Sequence, residues 1–285
     1  MTNSSYDIEK VYREFVTINS YFGEEKEQNE TITLKYKEEI HNYCHYENKS
    51  GNRKCNDYYE MTSSGVIHLL KHLKDKNVLD YDKLAEYAIL WLIYKLKIKE
   101  NNTVTNLNDF YNNYIEKNKC YKDKINGDDG LTYKKIIDKK KDLMDMDINE
   151  IFKLEAPFNI LYYLYHEISD EKSFCREYSN YAKTFADQFK KLNEDSNNIE
   201  DSSFSQILST LLNDHNNLIN KYCKESCSYS SLPKIDPKKS SPKKSIESFG
   251  QTSEGTSSSS SILNTVIPVL STFSVISLFL GVAYK

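Results

Sequence analysis

Six cysteines and six histidines are the residues best suited to chemistry in this chain of 285. "HLLKH" sets His68 and His72 one helical turn apart, a spacing that lets two imidazoles share a metal ion. A zinc-protease helix needs a glutamate beside the first histidine as its base. Leu69 stands there instead, and no third ligand is evident. "HNYCHYENKSGNRKC" gathers His41, Cys44, His45 and Cys55, at a spacing that matches no standard zinc finger. Zinc, a Cys44–Cys55 disulfide and two unconnected thiols are the alternatives. "DMDINE" begins like a calcium loop, with Asp145, Asp147 and Asn149 at alternate positions. Glu150 replaces the turn glycine and Ala156 the closing glutamate, so the match fails. No glycine-rich phosphate loop or nucleophile motif is present. The chain reads as a non-enzyme, without cofactor or metal.

The elements that would position these groups are helices. In "SFCREYSNYAKTFADQFKKL", Phe174, Tyr178, Tyr181, Phe185, Phe189 and Leu192 fall at steps of three and four. In "SSFSQILSTLLNDHNNLINKYC", Phe204, Ile207, Leu208, Leu211, Leu218 and Tyr222 repeat that spacing, with Ser202 or Ser203 as cap. The polar "NEDSNNIEDS" between them predicts a turn and an antiparallel pair. That geometry brings Cys175 level with Cys223 and predicts a disulfide between them, with Cys227 competing for the same partner. Cys44 with Cys55 is the other local candidate, and Cys120 and Cys227 stay unassigned.

"DYYEMTSSGVIHLLKHL" and "YDKLAEYAILWLIYKLKI" predict two further helices. In the second, "YAILWLIY" is apolar on all sides and too short to span a bilayer, so it should be the most buried helix, with Trp91 in the core. "LNDFYNNYIEK", "YKKIIDKKKDL" and "INEIFKLEAPFNILYYLYHEI" continue the pattern, and Pro157 should kink or divide the last. No run of alternating, β-branched residues suggests strands. The fold class is all-α, an irregular multi-helix bundle. Lysines at 139–141 read as solvated surface.

The chain closes differently. From Ile262 to Tyr284 no residue is charged, and at roughly 1.5 Å rise the run can cross a hydrocarbon core of about 30 Å. A lipid-anchor signal is a second reading of the same tail. Residues 228–261 are rich in Ser, Pro and Lys and read as a disordered stalk. The resulting division is an N-terminal helical segment (1–31), a helical domain (32–227), the stalk (228–261) and a transmembrane helix (262–284). "MTNSSYDIEKVYREF" lacks the apolar core of a secretory signal. Lysines interleave with Asp and Glu at a net charge of −4, which argues against a nucleic-acid partner.

Several stretches resemble the Plasmodium interspersed repeat family of variant proteins, especially the YIR, BIR and CIR groups. They are "LAEYAILWLIYKL" from Leu84, "LNDFYNNYIEK" from Leu107 and "KKIIDKKKDLMDMDINEI" from Lys134. "YAKTFADQFKKLNEDSNNIEDSSFSQILSTL" from Tyr181 and "IPVLSTFSVISLFLGVAYK" from Ile267 complete the series, in family order. The resemblance implies an all-helical domain, one C-terminal membrane helix, export to the infected red cell or its surface, and a part in antigenic variation and host interaction. It implies no enzymatic activity. Two features depart from it. No cysteine stands in the first residues, and the sequence stops at Lys285 where relatives often continue into a lysine-rich tail. None of Arg13, Arg53 and Arg176 begins an Arg-x-Leu-x-acidic export signal.

The leading expectation is therefore a membrane-anchored variant surface antigen whose partners are the lipid bilayer and a host protein or antibody. A tail-anchored adaptor with its helical domain facing a cytosol is the alternative.

Overall fold

Three acidic or hydroxyl residues stand just before long periodic runs, and each caps a helix. Asp80 accepts from the Lys83 amide at 2.8 Å, Asp170 forms a reciprocal capping box with Ser173, and Ser202 accepts from the Ser205 amide at 3.1 Å. The helices they open are α3 (Tyr81–Ile98), α8 (Glu171–Asn193) and α9 (Ser203–Tyr222). The computed structural model describes residues 6–46, 53–76, 79–127, 130–223 and 232–239. In those residues the other helices are α1 (Ile8–Asn19), α2 (Tyr58–Lys76), α4 (Leu107–Phe110), α5 (Tyr133–Ile137), α6 (Ile148–Phe152) and α7 (Glu155–Glu167). The architecture is predominantly helical, and residues 1–240 form one unit.

Helix α3 is the axis. It contacts α2, α5, α7 and α9, and every residue from Leu84 to Ile93 is buried. Trp91 is fully enclosed, and its indole N–H donates to the Asn19 side chain at 2.9 Å. Burying so large an aromatic with its one donor satisfied removes apolar area from water without an orphaned polar group. Gly65 of α2 lies against this ring. A β-carbon there would collide with the indole, so the α2–α3 approach requires glycine. A smaller cluster of Leu164, Ile168, Phe174, Tyr178, Leu218 and Ile219 joins α7, α8 and α9.

Pro157 divides its segment as expected. Helix α6 ends at Phe152, α7 starts at Glu155, and the proline sits in the first turn of α7, where no intrahelical donor is lost.

Four expectations need correction. First, a two-stranded antiparallel hairpin, β1 (Phe22–Lys26) and β2 (Ile32–Tyr36), follows α1 in register Phe22 with Tyr36 to Lys26 with Ile32. A boundary at residue 31 would cut through it. Its turn places Glu30 at φ 65 and uses the Asn29 side chain to hold the Thr31 amide. The hairpin is pinned to α3, where the Lys95 ammonium donates to the Phe22 carbonyl at 3.2 Å and Lys99 pairs with Glu24 at 2.6 Å.

Second, Lys140 is not solvated surface. It is fully buried and pairs with Glu86 at 3.0 Å, while Gln206 accepts a further bond. Glu86 also meets Lys83 at 2.6 Å and the Thr210 hydroxyl at 2.5 Å, so one carboxylate ties α3 to α9 and to the turn after α5.

Third, residues 232–239 of the expected stalk are ordered. Leu232 and Ile235 pack against the main core, and Lys238 exchanges backbone hydrogen bonds with Asn198 (2.8 Å) and Glu200 (2.9 Å). The strap at 232–239 lies in a cradle made by Asn193 and Asn198, which bond the Lys234 and Asp236 backbone. Their amides can both donate and accept, which explains the asparagine-rich turn.

Fourth, Cys175 is disulfide-bonded, but Cys223 carries a thiol, so the expected Cys175–Cys223 bond is not formed. Both residues do border the same small cluster. Cys223 is the C-cap of α9 and its backbone has left the helix (φ −97, ψ 96), so helical extrapolation fails at that residue. The competitor Cys227, the remaining stalk and the apolar run Ile262 to Tyr284 lie outside the described residues. Among the described residues no helix is long and apolar enough to cross a membrane.

Candidate functional site

The cysteine–histidine group near residue 44 is a disulfide. Cys44 and Cys55 are bonded with their Cα atoms 5.3 Å apart, fixing the 3-10 segment Glu38–Tyr43 beside the start of α2. The His41 Nδ1 accepts the Cys55 amide at 3.1 Å. His41 lies close enough to both sulfurs to complete a three-ligand set, but a disulfide sulfur is not a thiolate and does not hold zinc. His45 is not part of this group.

His68 and His72 do lie on one face of α2, with ring centroids 6.2 Å apart. Each is turned to a separate task. The His68 Nε2 meets the Glu39 carbonyl at 2.8 Å, and the His72 Nδ1 meets a Glu14 carboxylate oxygen at 3.0 Å. Burial holds His68 down to about 4, so it is neutral at physiological pH. The two residues join α2 to the 3-10 segment and to α1. Asp147 of the calcium-like stretch accepts the Asn149 amide at 2.8 Å and caps α6. Cys120 is a buried free thiol, and burial raises it above the usual thiol range.

The feature that sequence reading misses is a polar hub centred on Asp214, in the middle of α9 and fully buried. Its carboxyl accepts from Tyr12 at 3.0 Å and Tyr87 at 2.9 Å, and Tyr6 bonds the Tyr87 hydroxyl at 3.0 Å. The Asp214 carbonyl accepts from Tyr165 at 2.6 Å. Desolvation pushes Asp214 up to about 7, partly opposed by the tyrosine donors. In "LLNDHNNL" nothing separates this aspartate from an exposed helix residue except its place four after Thr210 and four before Leu218, on the buried face.

The hub backs a cleft of about 700 Å³ between α1, the end of α7 and the end of α9. Half-buried Tyr165 lies on its floor and stacks on the fully buried Tyr12, with centroids 4.3 Å apart and planes inclined by 17°. On the rim, one Glu9 carboxylate oxygen accepts from Lys221 at 2.5 Å and from the Tyr222 hydroxyl at 2.6 Å. Arg13, one turn after Glu9 on α1, is exposed at the cleft and makes no side-chain ion pair among the described residues.

A family described as "Plasmodium variant antigen protein Cir/Yir/Bir" matches residues 12–285. The chain belongs to this family of Plasmodium variant antigens. Its fold is similar to a solved Plasmodium PIR protein ectodomain, at 29% identity and a TM-score of 0.57, over 80% of this chain and 99% of that one. No curated protein matches the chain.

Proposed function

We propose that the chain is a membrane-tethered variant surface antigen, exported to the infected red cell, whose helical domain meets host molecules and antibodies while its exposed residues change. The observation that carries this reading is the likeness of the helical unit to a PIR ectodomain over nearly the whole of that chain. Two features support it. The buried Cys44–Cys55 bond suits an oxidising environment at some stage of the protein's life. The uncharged run from Ile262 to Tyr284 has the length and composition of a membrane span. Recognition rather than turnover is its task, because His68, His72 and Asp147 are committed to holding elements together.

Labelling of intact infected cells with antibody raised against residues 1–240 tests display. Surface signal without permeabilisation is expected. Signal that appears only after permeabilisation rejects display, and digestion of the domain from the cytosolic side of sealed vesicles identifies an adaptor instead.

A further inference from the structure

The cleft beside Asp214 is built differently on its two sides. Its floor is the half-buried Tyr165 ring, stacked on the fully buried Tyr12 and fixed from behind: the Tyr165 hydroxyl donates to the Asp214 carbonyl and the Tyr12 hydroxyl to the Asp214 carboxyl. Of the two rings only the half-buried Tyr165 reaches the cleft, and because its own hydroxyl holds it, it loses little further rotamer freedom when a ligand arrives. Its rim is polar and carries both signs. One oxygen of Glu9 takes the bonds from Lys221 and Tyr222, which orients the carboxylate and leaves the second oxygen to accept from a ligand hydroxyl. Arg13 stands one helical turn along the same face of α1, with a guanidinium that no carboxylate occupies among the described residues. Such a planar fork of donors matches a carboxylate in two parallel bonds.

A matching ligand needs an apolar face, an edge of hydroxyls and one carboxylate. We infer that this cleft binds an acidic sugar, a pyranose ring carrying a carboxylate, with the ring lying over the tyrosine floor and its acid on Arg13. The volume of about 700 Å³ accommodates one or two such rings within the ordinary range of small-ligand sites. An extended peptide is a poorer fit, because the walls are helices whose backbone groups are already bonded within the element. The inference deepens the recognition role proposed above and shares its premise that the domain meets host molecules.

The full chain in lipid nanodiscs is titrated with glucuronic acid and, separately, N-acetylneuraminic acid, read by saturation-transfer NMR, with galactose and inorganic sulfate as comparisons. The two acids separate a uronic from a nonulosonic ligand. At least one should bind with a Kd of about 10 mM or tighter. Arg13→Ala should weaken it about tenfold or more, consistent with loss of a bidentate charged contact. Arg13 is exposed, so the variant keeps its fold, and unchanged near-UV dichroism verifies that. Tyr222→Phe should weaken binding less, because Lys221 still orients Glu9. Absence of transfer from both acids overturns the inference. So does equal binding by Arg13→Ala, galactose binding as strong as either acid, or full displacement by equimolar sulfate, which would make the cleft a bare anion site. Each result is independent of where the protein is displayed, so surface labelling can fail or succeed without deciding it.

Discussion

Tyr12 and Asp214 lie 202 positions apart in the sequence and bond at 3.0 Å in the core. The contact links the first helix to the last, and burial raises the Asp214 carboxyl from the usual 3.8 to about 7. The folded chain therefore keeps this proton over a range where the unfolded chain has released it. The stabilisation is full below about pH 4 and is lost as pH rises through 7. Asp214→Asn should remove that slope. Urea unfolding at several pH values should show the variant gaining on the wild type between pH 4 and 7, with a constant difference above. A parallel pair of curves would mean that Asp214 is already ionised in the fold.

The Glu86–Lys140 pair is fully enclosed, and its two ends are not equivalent. Glu86→Gln leaves Lys140 as a buried cation with only neutral partners and should cost about 3–5 kcal/mol. Lys140→Met should cost less, because Glu86 retains Lys83 at 2.6 Å. The double variant should be less destabilised than the sum of the two. Chemical denaturation of all four proteins gives the coupling, and simple additivity would show that the pair does not interact in the fold.

Gly65→Ala should destabilise by about 1–3 kcal/mol through overpacking against Trp91. Tryptophan fluorescence and the urea midpoint read this together. An unchanged midpoint would mean that α2 and α3 can separate at no cost.

Cys44→Ser should lower stability by about 3 kcal/mol in the chain-entropy account of a short closed loop. Thermal unfolding should place the oxidised variant below the oxidised wild type, and the reduced wild type at or below the variant, because reduction also breaks the Cys175 bond. If reduction leaves the wild type unchanged, the bond does not constrain the unfolded chain.

The strap predicts slow amide exchange at Glu200 and Lys238, whose N–H groups bond across to Lys238 and Asn198. Exchange at the free-peptide rate would show the strap undocked.

How much of this could be read in advance depends on whether an element's burial is set locally. Helices α3, α8 and α9 carry their apolar spacing and caps in the sequence, so their extent and the burial of Trp91 were legible. "ITLKY" does alternate, with Ile32, Leu34 and Tyr36 on one parity, but its partner "FGEEK" carries no such pattern. The hairpin depends instead on the Asn29 turn and on Lys95 reaching back from α3. The three lysines 139–141 are identical in type, and only the local break at Lys140 (φ −117, ψ 30) decides which points to Glu86. Asp214 was hidden for the same reason: its three tyrosine donors come from α1, α3 and α7. The cleft inherits that problem, since Arg13, Tyr165 and Lys221 come from three separated helices. The Cys175 pairing failed because one residue beyond a helix end does not follow the helix's geometry.

The docked strap has a mechanical consequence. Load applied to the chain beyond Lys239 does not reach the last helix directly. It arrives first at two backbone bonds and a pair of asparagines at the α8–α9 corner. The strap thus meets that load with its own bonds and with the packing of Leu232 and Ile235, ahead of the end of α9.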